Sequence, residues 1–365
     1  MNPAITIEVP LLFGSQIFAL LIGGSSLLLL PFCSGRAGGI RKRHSQPTLM
    51  VLLICACVTP TALAQNSREL SANSYHERGN AWTAKGEYDR AIEDYSLGLA
   101  FAPNSAPLYV NRGQARVLKG ELEAAAADFS RALQRDPKMV EALVGRSYVR
   151  YLQGDYDGVL SDCEATIKLN PRLSEPYYNR GLAHEAKGEF QAALAACDAA
   201  LKVKPKMAEN WNARGAMHYR LGDYDRAIAD QTQAIKLNPK LAGAWTDRGC
   251  ARLSQGDIEG ASKDFDQVIE LNPQSSVAWF NRAQVWKIKG DFTRALSDYD
   301  RAIMLKSTYP DAWAQRGLIK LRMGNEASAQ IDFEESLRLS PSLKSDLEKL
   351  ITQVQQELKT KYIVR

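Results

Sequence analysis

From Ala72 onward, apolar positions recur in paired short stripes. In Ser174–Met207, Tyr177, Gly181 and His184 stand four and three residues apart, one face of a helix. Gly188 stops that helix. Phe190, Ala193, Leu194, Cys197, Ala200 and Leu201 then make the stripe of a second helix, and Pro205 closes the unit, because proline cannot continue it. The pattern returns every 34 residues. Gly86, Gly120, Gly154, Gly188, Gly222, Gly256, Gly290 and Gly324 keep that period without a slip. Pro103, Pro137, Pro171, Pro205, Pro239, Pro273 and Pro341 keep it too, with Ser307 in the remaining place. The spacing predicts an all-α chain of eight helix-turn-helix units over 72–343. Leu347, Leu350, Ile351, Val354 and Leu358 predict a further amphipathic helix over 344–365, with a polar outer side suited to covering the end of a repeat stack.

Residues 1–64 read differently. Leu11–Leu30 carries no charge and is long enough to span a bilayer. A basic stretch, Arg36–His44, precedes a short apolar run, Leu49–Val58, and then Ala62-Leu63-Ala64. This order has the form of a secretory signal cleaved before Gln65. The expectation is an export or anchor region at 1–64, a linker at 65–71 and a body facing the periplasm, with membrane attachment through 11–30 as one route. Two alternatives stand beside it: a true anchor at 11–30, or a translation start near the basic stretch that makes the first 35 residues an upstream extension of the reading frame. A cytoplasmic chain, held by 11–30 or with its start mis-assigned, is a further reading.

Charge adds little. The formal net charge is +5, and Arg36, Arg41, Lys42 and Arg43 against Glu8 account for much of it. The repeat body carries mixed signs and no basic stripe, so nucleic acid is not an expected partner. Three cysteines in the body, Cys163, Cys197 and Cys250, are too scattered for a disulfide framework or a zinc site. Cys163 and Cys197 replace aromatics such as Tyr95, Phe129 and Phe265 at their positions and read as small core residues.

The period, the aromatic four positions before a glycine, the small residue in the second helix and the closing proline resemble the tetratricopeptide repeat. Trp211, Trp245, Trp279 and Trp313 supply its early tryptophan; Gly79, Gly113, Gly181, Gly215, Gly249 and Gly317 its first glycine; Ala91, Ala125, Ala193, Ala227, Ala261, Ala295 and Ala329 its central alanine. The third unit departs most, with Ser147 and Val159 at the glycine and alanine places, which predicts looser packing there. The resemblance implies a right-handed solenoid and a protein- or peptide-binding surface lined by the first helix of each unit.

An arginine stands beside the first glycine in every unit: Arg78, Arg112, Arg146, Arg180, Arg214, Arg248, Arg282 and Arg316. A half-buried guanidinium needs a partner. An aspartate follows sixteen residues later at Asp94, Asp128, Asp162, Asp230, Asp264, Asp298 and Asp332, with Ala196 in the fourth unit. The turn glycine lies midway, so an antiparallel hairpin sets each pair at one height. The preceding unit's aspartate is near the same height, so the sequence leaves the pairing open. The expected role is a structural Arg–Asp ladder.

Advancing about 100° per residue, Tyr178, Leu182, Glu185 and Ala186 share one side of their helix, Asn179 lies at its edge, and Tyr177, Gly181 and His184 face away. In the resembled family that first side lines the groove. The groove candidates are Asn80, Asn111, Val144, Tyr148, Tyr151, Tyr178, Asn179, Tyr219, Phe280 and Asn281. Family members that bind chaperone tails grip a carboxylate with lysine, asparagine and arginine. Asn80 and Asn111 match, but His76 replaces the first lysine, and Glu141 and Gly145 replace the third unit's lysine and arginine. The acid repels a carboxylate, which argues against that clamp in the first three units.

Catalysis finds no motif: no phosphate loop, zinc helix or nucleophile elbow is present. His184 and His218 share a position with Trp82 and Trp286 and read as core filling. The expectation is a non-enzymatic, cofactor-free scaffold or adaptor, in the cell envelope if exported. The alternatives are a regulatory subunit for an enzyme acting on envelope polymers and a cytoplasmic scaffold. The sequence leaves the oligomeric state open.

Overall fold

Each 34-residue unit turns from its first helix to its second at a glycine that can adopt a backbone conformation other residues rarely reach. Gly256 ends its helix at φ +91°, and the other seven turn glycines lie between +76° and +90°. The computed structural model describes residues 60–363, with side chains over 71–360. Among the described residues there are 17 α-helices and no strand. The first helices of the eight units are α1 (Pro60–Ala84), α3 (Ala106–Lys119), α5 (Val140–Leu152), α7 (Glu175–Ala186), α9 (Ala208–Arg220), α11 (Ala242–Gln255), α13 (Ser276–Ile288) and α15 (Pro310–Arg322). The second helices are α2 (Tyr88–Phe101), α4 (Leu122–Arg135), α6 (Tyr156–Leu169), α8 (Phe190–Val203), α10 (Tyr224–Leu237), α12 (Ile258–Leu271), α14 (Phe292–Leu305) and α16 (Glu326–Leu339). A single 3-10 turn, Pro341–Leu343, leads into α17 (Lys344–Ile363).

The chain divides at Gly188 into two compact units. In the first, the α1–α2, α3–α4 and α5–α6 hairpins stack in order and α7 follows. In the second, α8 packs on α9, and the α9–α10, α11–α12, α13–α14 and α15–α16 hairpins stack toward α17. Each is an all-α solenoid stack.

Several second helices start under a side-chain cap. Asp155, Asp223, Asp257 and Asp291 accept hydrogen bonds from the backbone N–H groups of Gly158, Arg226, Gly260 and Arg294. Each satisfies one of the orphan donors of a helix start. At the other end, Asn170, Asn238 and Asn272 fold back to accept from the N–H two residues on, with proline between.

The cores are built from one exchange repeated along the chain. The first glycine faces an aromatic ring on the second helix. A Cβ at Gly249 would stand 2.7 Å from Phe265 Cε1, and one at Gly317 would stand 2.6 Å from Phe333 Cε1. The third unit reverses the sizes: Ser147 faces Cys163, and Ser147, Val159 and Cys163 are all at most 1% exposed. The loosening expected there is therefore absent, because the small thiol makes room for the serine.

The linker expected at 65–71 is also corrected. Those residues continue α1, since no glycine or proline follows Pro60 until Gly79, and Pro60 itself stands at the helix start, where proline is tolerated. The apolar segments expected to export or anchor the chain lie outside the described residues. Among the described helices, none is long and apolar enough to cross a membrane.

At the C-terminus, Leu347 and Val354 of α17 are each 3% exposed against Leu318, Leu321 and Phe333, with Ile351 and Leu358 half-buried beside them. Glu348, Thr352 and Gln356 stay exposed on its other side.

Candidate functional site

The recurring arginine is the clearest local geometry. Its Nε and Nη2 make two parallel bonds to the aspartate of its own hairpin in seven units: Arg78–Asp94, Arg112–Asp128, Arg146–Asp162, Arg214–Asp230, Arg248–Asp264, Arg282–Asp298 and Arg316–Asp332, at 2.6–3.0 Å. The aspartates are 0–5% exposed. The pairing that the sequence leaves open is thus within the hairpin.

The preceding hairpin takes a different nitrogen. Nη1 donates to the residue sixteen positions earlier: Ser96, Ser130, Asp198, Thr232, Asp266 or Asp300. The flat guanidinium also lies over the aromatic three residues before it, as Arg214 does over Trp211 at 4.8 Å. That indole donates in turn to the carbonyl of Pro205 at 2.7 Å, and Trp245 and Trp279 repeat the bond to Pro239 and Pro273. One side chain thus ties two second helices and a first helix together, and its aromatic neighbour ties in the loop. In the fourth unit Ala196 supplies no carboxylate, and Arg180 lies over Tyr177 at 5.4 Å.

A second cation joins several of these aspartates. Arg116, Arg150 and Arg252 donate to Asp128, Asp162 and Asp264 at 2.6–2.9 Å, and Lys320 reaches Asp332 at 2.9 Å. These residues escaped the sequence reading, although they too recur at the period. His218 shares their position, is 8% exposed and places Nε2 3.8 Å from Asp230 Oδ2, so it sits at the ladder as well as in the core.

The groove candidates separate into three groups. Val144, Tyr178, Asn179, Phe280 and Asn281 are 2–6% exposed, which corrects the expectation that they line an open surface. Phe280 packs against Tyr299 of α14 and Tyr309, with ring centroids 5.7 and 4.9 Å away, while the asparagines meet the neighbouring first helix. Asn179 Nδ2 donates to Ser147 Oγ at 3.0 Å, joining α7 to α5. Asn281 Nδ2 lies 3.8 Å from Cys250 Sγ, joining α13 to α11. A helical wheel gives direction but not the depth of the next helix, and these asparagines are spent between helices.

The second group is a polar network at the first two units. Asn111 Nδ2 lies 2.6 Å from His76 Nε2 and donates to Asn80 Oδ1 at 2.9 Å, while the Tyr95 hydroxyl donates to the same oxygen at 2.8 Å. Burial lowers the His76 pKa, which favours the neutral ring. The two asparagines that match the carboxylate clamp are thereby engaged with each other, and Asn80 is exposed.

The third group remains open enough to contact a partner. Tyr148 and Tyr151 on α5 are half-buried, Leu152 beside them is 40% exposed, and Val117 and Leu118 on the adjoining α3 are half-buried. Partial desolvation raises both tyrosine pKa values, with the charge of Glu185 adding to that of Tyr151, so both hydroxyls stay protonated donors at neutral pH. The Tyr151 ring is braced by Tyr156 at 5.9 Å. In the second compact unit, Tyr219 is half-buried, braced by Tyr224 at 5.5 Å and 3.3 Å from Ser254 Oγ.

Burial pushes the Cys163 thiol up to about 12 and raises Cys250 further, so both stay protonated and unreactive. Among the described residues no group of three His, Cys, Asp or Glu could hold a metal ion.

Known proteins agree with this architecture. Three family models, each described as tetratricopeptide repeat, match residues 110–172 and 178–242, 223–285, and 310–343. No curated protein matches the chain. The fold is similar to a chain of the APC/C hetero-tetramer Cut9–Hcn1, with a TM-score of 0.60 and 13% identity over 76% of this chain; the match spans 54% of that longer chain. It is also similar to a tetratricopeptide repeat protein from Parabacteroides merdae, with a TM-score of 0.55 and 19% identity over 68% of this chain and 98% of that one. Together the family models cover more than half of the chain, and the chain belongs to the tetratricopeptide repeat family.

Proposed function

We propose that this protein is a scaffold that binds a partner polypeptide on the face of its first helices, and that the binding centre is the Tyr148–Tyr151 patch. Proteins of this fold are in general protein-interaction scaffolds. The observation that carries the reading is the patch itself: two half-buried tyrosines on one helix, with the 40% exposed Leu152 and the half-buried Val117 and Leu118 beside them. Rigid aromatics with an apolar body and a hydroxyl tip are the usual anchors of protein interfaces. Seven of the eight repeated arginines are held by carboxylates within the fold, which leaves recognition to these residues. The test is co-purification of partners by the intact chain and by Tyr148→Ala/Tyr151→Ala; the variant is expected to lose specific partners while its helical content stays the same.

The reading places the scaffold outside the cytoplasm. Support comes from the order of the basic stretch Arg36–His44, the apolar run Leu49–Val58 and Ala62-Leu63-Ala64. N-terminal sequencing of the mature protein tests it: a start at Gln65 is expected, and an uncleaved chain in the cytoplasm contradicts it.

A further inference from the structure

Lys287 stands out among the half-buried cations. It lies in the last turn of α13, and its Nζ donates to the neutral Gln315 Oε1 at 2.9 Å. Among the described residues no carboxylate stands within ion-pair distance of it. Its neighbours in the chain differ: Lys289 holds Glu259 at 2.9 Å, Lys320 holds Asp332 at 2.9 Å, and Arg322 holds Glu357 at 2.6 Å. Burial lowers the Lys287 pKa to about 8, and the positive charge of Arg322 pushes the same way. An ammonium group removed from water without an anion is unfavourable, and an arriving carboxylate would relieve it. One of its three N–H donors is used on Gln315. Ile288 and Met323, next in sequence to Lys287 and Arg322, are 53% and 47% exposed.

We infer that Lys287, flanked by Gln315 and Arg322, anchors an acidic segment of a partner polypeptide, with Ile288 and Met323 receiving apolar side chains beside the acid. The pairing is one of charge complementarity: a cation without a carboxylate in the fold, among the described residues, with an exposed apolar residue next in sequence on each of the two helices. A small inorganic anion satisfies the charge and leaves the exposed Ile288 and Met323 unused, which is why a peptide is the assigned occupant. The site shares with the proposed function only the premise of a polypeptide partner. It uses α13 and α15, so it fails or stands independently of the tyrosine patch.

The test uses the full chain with its lysines ¹³C-dimethylated, a change that keeps the charge. The Lys287 signal is assigned by its disappearance in Lys287→Gln. The probe is an acetylated, amidated pentapeptide of alternating leucine and glutamate, compared with the same peptide carrying glutamine in place of glutamate and with inorganic phosphate. Binding of the glutamate peptide is expected to move the Lys287 titration midpoint upward by about one pH unit, the equivalent of a tenfold linkage. Lys287→Gln is expected to weaken binding at least tenfold, with Lys263→Gln, an exposed lysine on α12, unchanged. No movement of the midpoint, or equal binding by folded Lys287→Gln, overturns the proposal. An equal movement with phosphate overturns the peptide assignment and leaves an inorganic-anion site only. Retention of these effects in Tyr148→Ala/Tyr151→Ala separates this site from the tyrosine patch.

Discussion

Arg248 holds Asp264 through two parallel hydrogen bonds, Nε to Oδ2 at 3.0 Å and Nη2 to Oδ1 at 2.7 Å, with side chains 10% and 1% exposed. The same two residues meet Thr232 through Nη1 of the arginine and Arg252 through Oδ2 of the aspartate. Breaking a buried pair by removing one partner leaves an uncompensated charge, which costs about 3–5 kcal/mol. Arg248→Leu is therefore expected to lower the urea midpoint sharply, and so is Asp264→Leu. The double substitution is expected to lose less than the sum of the two, because neither charge is then left alone. Additive losses in the denaturation curves contradict a direct pair.

The glycine–aromatic exchange makes a second prediction. A Cβ at position 249 meets the rigid ring of Phe265 at 2.7 Å, so Gly249→Ser is expected to cost about 1–3 kcal/mol. The third unit shows the compensated form, Ser147 against Cys163. Gly249→Ser combined with Phe265→Cys is therefore expected to recover part of the loss of either single change. Thermal melting of the three variants checks this, and a double variant no more stable than the single changes contradicts it.

These cases show how far the sequence could be read. The 34-residue period placed the hairpins and their turns, because a single glycine in the left-handed region and a closing proline recur with every unit. It also paired residues sixteen apart across the hairpin. It did not choose between the two nearby aspartates, since that choice depends on where the guanidinium nitrogens point. It did not give the depth of neighbouring first helices, so Tyr178 and Asn179 were expected at a surface that α5 and α7 close. Lys287 was passed over because its distinction is the lack of a carboxylate, which is a property of three-dimensional neighbours.

Lys287 also links stability to pH. Its pKa falls from 10.5 in the unfolded chain to about 8 in the fold, so between those values the unfolded state binds more protons. Stability contributed by this residue is then fully present above about 10.5 and is lost as the pH falls through 8. Lys287→Met removes the group that is charged and desolvated at neutral pH. It is expected to stabilise the protein by roughly 1–2 kcal/mol at pH 6.5 and by much less at pH 10.5. Denaturation at the two values checks this; an effect independent of pH contradicts it.

The terminal helix carries a prediction of its own. Leu347 and Val354 cover Leu318, Leu321 and Phe333, which otherwise face solvent at the end of the stack. Removing residues 344–365 is expected to preserve most helical signal while lowering the melting temperature and promoting self-association, measured by light scattering. A truncated chain that stays monomeric with an unchanged melt contradicts a covering role.

The central claim is that partners meet the tyrosine patch and not the repeated arginines. A photo-crosslinking amino acid at position 152, beside Tyr151, tests it most directly, with the same group at the exposed position 131 on α4 as the comparison. Discrete polypeptide adducts are expected from position 152 and not from 131, and they are expected to vanish when Tyr148 and Tyr151 are replaced by alanine. Adducts that survive that replacement, or that form from 131 alone, contradict the account.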